Sequence, residues 1–337
     1  MISISTVIPT RNRIDSLQRC LKSIGNQIFL PEEVIIVDSS DVKLDLHTLL
    51  ESVDNLNIKL IHSTPSVCKQ RNVGIAAAQN DWIFLCDDDI DLPENYLSTL
   101  VNYLEVNESC QVVAGRLVQL ENGNWVDQYP IRRQIDLLWR FIFQLSVWSD
   151  LSKMNSGFLT KQLGKWYHER SNDVSLAGWP ILTQWNDGVN RTSIYPLGAS
   201  LISKEWLIDS PFDEVLDPHG IGDNYGVAIN FPQPKSIHVL SETYAKHHRN
   251  LENRLEQALA YYRRTLALHY FLKKKENSVS RTCWFVWSLF GNSLYFLFKG
   301  KMEMFKATNV ALFKIISNRN PYWKGFLRNE ESIKPNF

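Results

Sequence analysis

Trp82-Ile83-Phe84-Leu85-Cys86-Asp87-Asp88-Asp89 is an apolar run that ends in three consecutive carboxylates. Its first five residues have the length and composition of a buried strand. The aspartates therefore fall at a strand's C-terminal end, where open α/β sheets bind their ligands. Three carboxylates crowded at such a point repel one another unless a cation or a network of donors compensates them. Mn2+ or Mg2+ bridging to a diphosphate meets that need, because such ions take few protein carboxylates and complete their shells with phosphate and water oxygens. The plainer reading is an acidic loop that caps the next helix, with Asp91 as N-cap and Pro93 in the first turn. Capping accounts for Asp91 and leaves the three aspartates before it unexplained.

On either side of this stretch, strand and helix patterns alternate. Ile2–Ile8 reads as a strand, and Asp15 as the cap of a helix carrying Leu17, Cys20, Leu21 and Ile24 at i, i+3, i+4 and i+7. Val34–Val37 and Ile58–Ile61 read as strands, Leu46–Val53 and the stretch from Val67 to Ala78 as helices. A helix to about Glu105 and a strand over Gln111–Val118 follow Pro93. This β-α-β order predicts a mostly parallel, doubly wound α/β sheet. From Tyr129 to Tyr195 aromatics are frequent but no clean strand pattern appears. Ile194–Ile202 and Ile237–Leu240 again resemble strands, with a turn and short helix over Gly220–Asn230 between them. Beyond Leu251 the chain is helical, Leu255, Leu259 and Tyr262 giving one apolar face. The expected organisation is a ligand-binding domain over 1–250 and a C-terminal helical extension over 251–337.

Bulk properties narrow the function. The chain has 337 residues, 44% of them hydrophobic, which suffices for a sizeable core. Lys+Arg and Asp+Glu number 36 each, and this balance argues against nucleic acid as partner, since phosphate backbones select basic faces. The five cysteines show no CxxC pairing or metal-ligand spacing and read as reduced thiols. The chain opens directly into MISISTVIPT without a basic leader or apolar signal core, so a cytoplasmic location is expected. One segment modifies that expectation. Thr282–Phe298, TCWFVWSLFGNSLYFLF, is aromatic-rich and flanked by Lys273, Lys274, Lys275 and Arg281 on one side and Lys299 and Lys301 on the other. A span needs about 20 apolar residues, and this stretch contains Gly291, Asn292 and several Ser/Thr. Its terminal Trp, Tyr and Lys suit peripheral contact with the inner face of a membrane; the alternative is a helix packed on the domain.

Four motifs occur together in the first 110 residues: Val7-Ile8-Pro9-Thr10-Arg11-Asn12-Arg13, Ile35-Ile36-Val37-Asp38-Ser39-Ser40, Arg71-Asn72-Val73-Gly74, and Phe84-Leu85-Cys86-Asp87-Asp88-Asp89 with Pro93 beyond it. In order and spacing they resemble family 2 glycosyltransferases. The resemblance implies the A-type glycosyltransferase fold, a nucleoside-diphosphate sugar as donor, and inversion at the transferred centre. It also distributes roles. Pro9, Thr10 and Arg11 lie where a nucleotide crosses the sheet edge. Asp38 accepts an N–H of a pyrimidine base, which makes UDP or dTDP the expected carrier; the residue-level alternative is a turn-forming Asp. Arg71 reaches base or phosphates, or is a solvated helix charge. Asp89 is the expected metal ligand and Asp87 or Asp88 the ribose contact, the family's Asp-any-Asp pattern fitting three aspartates in two registers.

Transfer also requires a base for the acceptor hydroxyl. The family places an Asp at a helix start after a Phe-Asp-Glu segment, and Phe212-Asp213-Glu214 followed by Gly220-Ile221-Gly222-Asp223 matches at Asp223. Two positions depart from the pattern: Gly222 stands where an acidic residue is usual, and Ile229-Asn230 where a basic one is. The alternative for Asp223 is a helix cap. Leu197-Gly198-Ala199-Ser200 resembles the small-residue loop beneath the donor sugar, where Gly198 lets backbone approach a ligand. His247, in Ala245-Lys246-His247-His248-Arg249, is a candidate for the metal or diphosphate, or a surface residue ahead of the next helix.

The expected function is transfer of a sugar to a saccharide or lipid-linked acceptor in surface polysaccharide assembly. A sugar nucleotidyltransferase is disfavoured because no glycine precedes Gly25, and a dehydrogenase because no GxGxxG follows the first strand. A non-catalytic sugar- or lipid-binding protein on the same scaffold is the remaining rival; retention of Asp89 and Asp223 counts against it.

Overall fold

The structure is a computed structural model and describes residues 2–45, 53, 55–121, 123–151, 157–216, 218–248 and 255–324. The N-terminal half alternates as the apolar pattern predicts. Strand β1 (Ile4–Thr10) is followed by α1 (Ile14–Gly25), β2 (Glu33–Asp38), β3 (Ile58–His62), α2 (Val67–Ala77) and β4 (Trp82–Cys86). These four strands lie parallel in the order β4-β1-β2-β3. Both faces of this half are buried, so its strands read as apolar runs rather than alternations. Val7, Ile35, Val37, Ile83 and Leu85 face one core, and Ile4, Ile8, Val34, Ile36 and Phe84 the other. Each side chain of this kind contributes about 1.5–3 kcal/mol on full burial, so a one-residue slip in register would be prohibitive.

The chain leaves β1 towards β2 and later returns to its opposite side as β4. That reversal opens a crevice at the C-terminal ends of β1 and β4, which fixes where a ligand can sit. Beyond β4 the sheet becomes mixed. The remaining elements are β5 (Ile90–Asp91), α3 (Tyr96–Val106), β6 (Val112–Glu121), β7 (Asn124–Val126), α4 (Gln134–Ile142), β8 (Val147–Trp148), α5 (Phe158–Glu169), β9 (Asp173–Val174), β10 (Pro180–Leu182), β11 (Val189–Thr192), β12 (Ala199–Ser203), α6 (Lys204–Asp209), α7 (Asp223–Ala228) and β13 (Ile237–His247). Antiparallel β12 pairs β4 on one side and β6 on the other, carrying Gly198 to the same edge as Asp87. Strand β13 runs beside β6 well past the expected Leu240 and delivers His247 opposite Ile90.

Several boundaries differ from the sequence reading. Asp91 caps no helix: it belongs to β5 and pairs with Lys246, and α3 starts at Tyr96 after Asn95. Asp15 lies inside the first turn of α1, whose N-cap position is Arg13. His247 ends β13 and His248 directly follows it, and the next described helix begins at Gln257. The helix expected over 46–53 falls almost wholly outside the described residues, as do Arg249 and residues 251–254. The stretch 129–195 is not irregular. It forms α4, α5 and a small sheet in the order β8-β10-β9 around Leu137, Val147, Leu163, Tyr167 and Ile181. Strands of two or three residues are too short to show a period of two.

The extension is α8 (Gln257–Glu276), α9 (Val279–Phe298), α10 (Met302–Ile316) and a closing 3-10 turn (Pro321–Lys324). Helix α8 is buried along most of its length, Tyr262, Leu266 and Phe271 joining the core of one sheet face. Helix α9 packs through Phe285, Ser288 and Leu289. No helix among the described residues is long and apolar enough to cross a membrane. The closing turn is tied to α8 by Asn320, whose Nδ2 donates to Leu266 O at 2.8 Å and approaches Nδ1 of buried His269 at 3.1 Å.

Burial holds the His269 pKa down at about 4, with Lys273 adding to the effect. A depressed imidazole contributes stability above its unfolded pKa of about 6.5, and that contribution is lost as pH falls through 6.5 towards 4. The protein should therefore lose thermal stability across this window. His269→Gln should flatten part of the slope, by up to about 3 kcal/mol for a shift of this size. Parallel melting curves for the two proteins between pH 7.5 and 4 would refute the assignment.

Candidate active site

The crevice between β1 and β4 widens into a cleft of about 560 Å3. One wall is polar and comes from the strand ends: Thr10, Arg13, Arg71, Asp87, Asp88, Asp89 and His247. The other is largely apolar and is contributed by Trp148, Trp179, Ile194, Tyr195 and Leu268. Asp223 lies on the floor between them. Pro9, Arg11 and His219 also line the cleft.

The three aspartates share the strand end but are held differently, with Arg13 common to Asp88 and Asp89. Asp87 meets Nη2 of Arg71 at 2.5 Å. Asp88 accepts a hydrogen bond from Thr10 Oγ1 at 2.8 Å and lies 3.1 Å from Arg13 Nη1. Asp89 lies 3.2 Å from Nε2 of His247, with Arg13 Nη1 at 3.6 Å. The like-charge crowding read from the sequence is thus compensated by two arginines and a histidine. Asp88 retains a consequence of it: burial, opposed by Arg13 and reinforced by Asp89, pushes its carboxyl up to about 6.

Arg71 is the centre of the arrangement. It projects from α2, is 4% exposed, and stacks 4.9 Å above the Phe212 ring. While Nη2 holds Asp87, Nη1 holds Asp223. Burial alone would lower its pKa, but Asp223 and Asp87 outweigh it, and the guanidinium is held above its ordinary value. The adjacent Asn72 clamps the backbone of Phe212, donating from Nδ2 to its carbonyl at 2.8 Å and accepting its N–H at 3.0 Å. The Phe-Asp-Glu segment is therefore structural. Asp213 accepts from Tyr270 and Lys274 of α8, and Glu214 from Asn72.

Gly222, a departure from the family pattern, has a physical cause. Its φ is +102°, a left-handed conformation that favours glycine, and a Cβ there would lie 2.9 Å from Cβ of Ala267 on α8. An acidic side chain is excluded by the helix packed behind it. Asp223 opens α7 in the next position, and its Oδ1 accepts its neighbour's N–H, that of Asn224, at 2.6 Å.

Of the other expected residues, Asp38 stands apart. It is buried at the end of β2, does not line the cleft, and accepts the Ser40 and Leu44 amides at 2.9 and 3.0 Å, with His62 Nδ1 at 3.2 Å. It shapes the turn after β2. Arg11 pairs outward with Asp41 at 3.2 Å, tying the loop after β1 to the loop after β2. Gly198 supplies room, though for a side chain rather than a ligand: a Cβ there would sit 2.1 Å from Asp87 Oδ2. His248 turns away from the cleft to Asp91 and the Trp125 ring.

Sequence reasoning assigned no role to Arg13, to Gln70 or to the aromatic wall. Gln70 is buried and donates from Nε2 to Thr10 O at 2.9 Å and Val37 O at 2.7 Å, fastening the ends of β1 and β2 together. Its position one residue before Arg71 was the available signal. Trp148 and Trp179 came from the stretch whose elements are too short to read.

Comparison with known proteins agrees with this geometry. The model of the family "Glycosyl transferase family 2" matches residues 5–160. The chain is 26% identical over 264 residues to "Uncharacterized glycosyltransferase YwdF" of Bacillus subtilis, covering 72% of this chain and 94% of that one. It is 30% identical over 128 residues to a Campylobacter jejuni protein named "GalNAc(5)-diNAcBac-PP-undecaprenol beta-1,3-glucosyltransferase", covering 37% and 41% respectively. In structure it is similar to S. aureus TarS 1-349 in complex with UDP-GlcNAc, with a TM-score of 0.53 at 15% identity over 96% of this chain and 90% of that one. That likeness is one of fold, and it extends through the C-terminal helices.

Gly198→Ala tests the support beneath Asp87. The clashing atoms are the tip of a side chain, so Asp87 should swing off Arg71 while the fold holds. Stability should fall by about 1–3 kcal/mol, Asp87 being the more exposed of the two Arg71 partners, and affinity for a nucleoside diphosphate by about tenfold. A variant that binds like the wild type would show that Asp87 does not need this position.

Proposed function

With residues 5–160 belonging to glycosyl transferase family 2, we propose that this glycosyltransferase moves a sugar from a UDP- or dTDP-linked donor to a hydroxyl of a saccharide or lipid-linked acceptor, with inversion at the anomeric carbon. The observation that carries the reading is the convergence of Asp87 and Asp223 on one guanidinium, although Asp223 lies 152 residues beyond Arg71. A donor-side carboxylate and the base candidate are thereby held in register across one cleft. The fork of Arg71 suits a diphosphate, and its transfer to phosphate oxygens frees Asp223.

The step then follows from the residues. Asp223 accepts the proton of the acceptor hydroxyl as that oxygen attacks the anomeric carbon from the side opposite the leaving group. The bond from the anomeric carbon to the diphosphate oxygen breaks, and its electron pair leaves with the nucleoside diphosphate. Arg71 and Arg13 stand where that negative charge develops. Asp87, the more exposed of the two ribose candidates, takes the ribose hydroxyls; Asp88 is already held by Thr10 and Arg13.

Asp89 and His247 fit a divalent cation. They bring an oxygen and a nitrogen donor within 3.2 Å of each other at the cleft. Among the described residues no group of three or more His, Cys, Asp or Glu is arranged to hold a metal. Mn2+ or Mg2+ would therefore be held by these two residues and completed by donor oxygens, which is how such ions are commonly bound. Once bound, the ion neutralises the departing diphosphate. The lipid-linked acceptor is supported by the name of the Campylobacter relative, and a role in surface polysaccharide assembly follows from that choice.

Calorimetry with UDP, dTDP, GDP and CDP, each with Mn2+ and with chelator, tests the donor. One pyrimidine diphosphate should bind, and only with metal; Asp89→Ala should abolish that metal-dependent binding. Binding of none of the four would overturn the donor site. Asp223→Asn should leave nucleotide binding intact and lower nucleoside diphosphate release during transfer by about 10^2-fold or more. Near-normal turnover in that variant would place the base elsewhere.

A further inference from the structure

The outward side of α9 has the composition of a core. Between Cys283 and Phe298 the exposed residues are Cys283, Trp284, Trp287, Phe290, Leu297 and Phe298, none of them charged. Trp284 is 36%, Phe290 45% and Phe298 73% exposed. At 100° per residue these positions fall on one stripe, opposite Phe285 and Leu289, which face the core. A helix on an ordinary protein surface carries its charges there.

The stripe continues onto α4. Trp287 Nε1 donates to Ile142 O at 2.8 Å, and Ile142 is itself exposed. The buried Phe143 ring, just past α4, underlies Trp287 at 4.9 Å, and the half-buried Trp139 ring lies 6.2 Å from Phe298. The result is a contiguous aromatic patch spanning two helices, of the kind that marks an interaction surface.

Charge identifies the partner. Residues 273–324 hold ten Lys/Arg against two acidic residues, Glu276 and Glu303, a formal +8 in a chain whose net charge is zero. Some of these cations are engaged within the fold, Lys274 with Asp213 and Arg281 with Glu276. Lys299, Lys301 and Lys306 are exposed and follow directly on the C-terminal end of the stripe. A second copy of the chain would set the same basic segment against itself, because a two-fold interface joins identical patches. An anionic lipid surface complements it, and indole rings favour the boundary between headgroups and acyl chains.

We propose that α9, with the adjoining edge of α4, lies in the plane of an anionic phospholipid bilayer, its aromatic side chains at the headgroup–acyl boundary and the lysines after Phe298 among the headgroups. The helix binds along the surface and does not cross it. The proposal rests on this surface alone and is independent of the donor-site reading.

The test is cosedimentation of the full chain with vesicles of phosphatidylcholine, alone or with roughly one third phosphatidylglycerol. The wild type should bind the anionic vesicles at least about tenfold more strongly than the neutral ones, and added salt should weaken that binding. Trp284→Glu with Phe298→Glu should lower binding by about tenfold or more without shifting the melting temperature. Lys299→Glu with Lys301→Glu, which leaves the packed side of the helix untouched, should remove most of the preference for anionic vesicles. A wild type that stays in the supernatant overturns the proposal, as does an aromatic double variant that binds undiminished. A wild-type dimer in sedimentation velocity that the aromatic double variant dissociates would make this face a protein interface instead.

Discussion

Arg71 is a cation almost wholly removed from water, and such a group is tolerated only where its charge is balanced in place. Asp87 and Asp223 balance it, and the Phe212 ring covers its remaining face. Deleting one partner of a buried pair typically costs about 3–5 kcal/mol, because the survivor is left uncompensated. The chain must therefore bring β4, α2 and the start of α7 to one point. The crevice, the position of α7 and the depth of the cleft follow from satisfying this one side chain. A site built in this way is also poised. On the proposed reading an incoming diphosphate would keep the Arg71 guanidinium balanced while Asp223 is released towards the acceptor.

Two glycines and an amide make that convergence sterically possible. Gly198 leaves the space that the Asp87 carboxylate occupies, and Gly222 lets the chain turn in a left-handed conformation against Ala267 of α8. Gln70 bridges the carbonyls of Thr10 and Val37, so the ends of β1 and β2 move together. Helix α8 is accordingly more than an appendage. It is buried along the sheet and lies directly behind the turn that presents Asp223, which gives the C-terminal segment a part in positioning that carboxylate.

The sequence made the parallel half of the sheet legible because β1, β2 and β4 carry apolar runs such as Val34–Val37 and Trp82–Cys86 and are buried along nearly their whole length. The acidic cluster was legible for the same reason: carboxylates after such a run have only one place to be. What could not be read was the division of labour among them. Which aspartate meets Arg71 and which meet Arg13, and how Asp38 is held in its own turn, depends on side chains distant in sequence. Gly222 looked like a flaw in the motif, when its cause is a helix more than forty residues further on. The aromatic wall was hidden because β8, β9 and β10 are too short to display a period.

A single layer of side chains separates the cleft from the buried side of α9. Trp179 lines the cleft, stacks on Phe285 with ring centroids 5.5 Å apart, and donates from Nε1 to Ser288 Oγ at 2.8 Å. Phe285 and Ser288 lie on the buried side of the helix whose opposite side carries Trp284, Trp287 and Phe290. A bilayer against that outer side would lie about one helix diameter, roughly 10–12 Å, from the apolar wall of the cleft. An acceptor anchored by a lipid chain and extended by a few sugars could then place its terminal hydroxyl near Asp223 without leaving the membrane. On the proposed reading the polar wall would take the soluble, anionic donor, and the aromatic wall is adjacent to the side on which an anchored acceptor would arrive. With Asp223 as the proposed base, donor and acceptor would then reach one carboxylate from different phases.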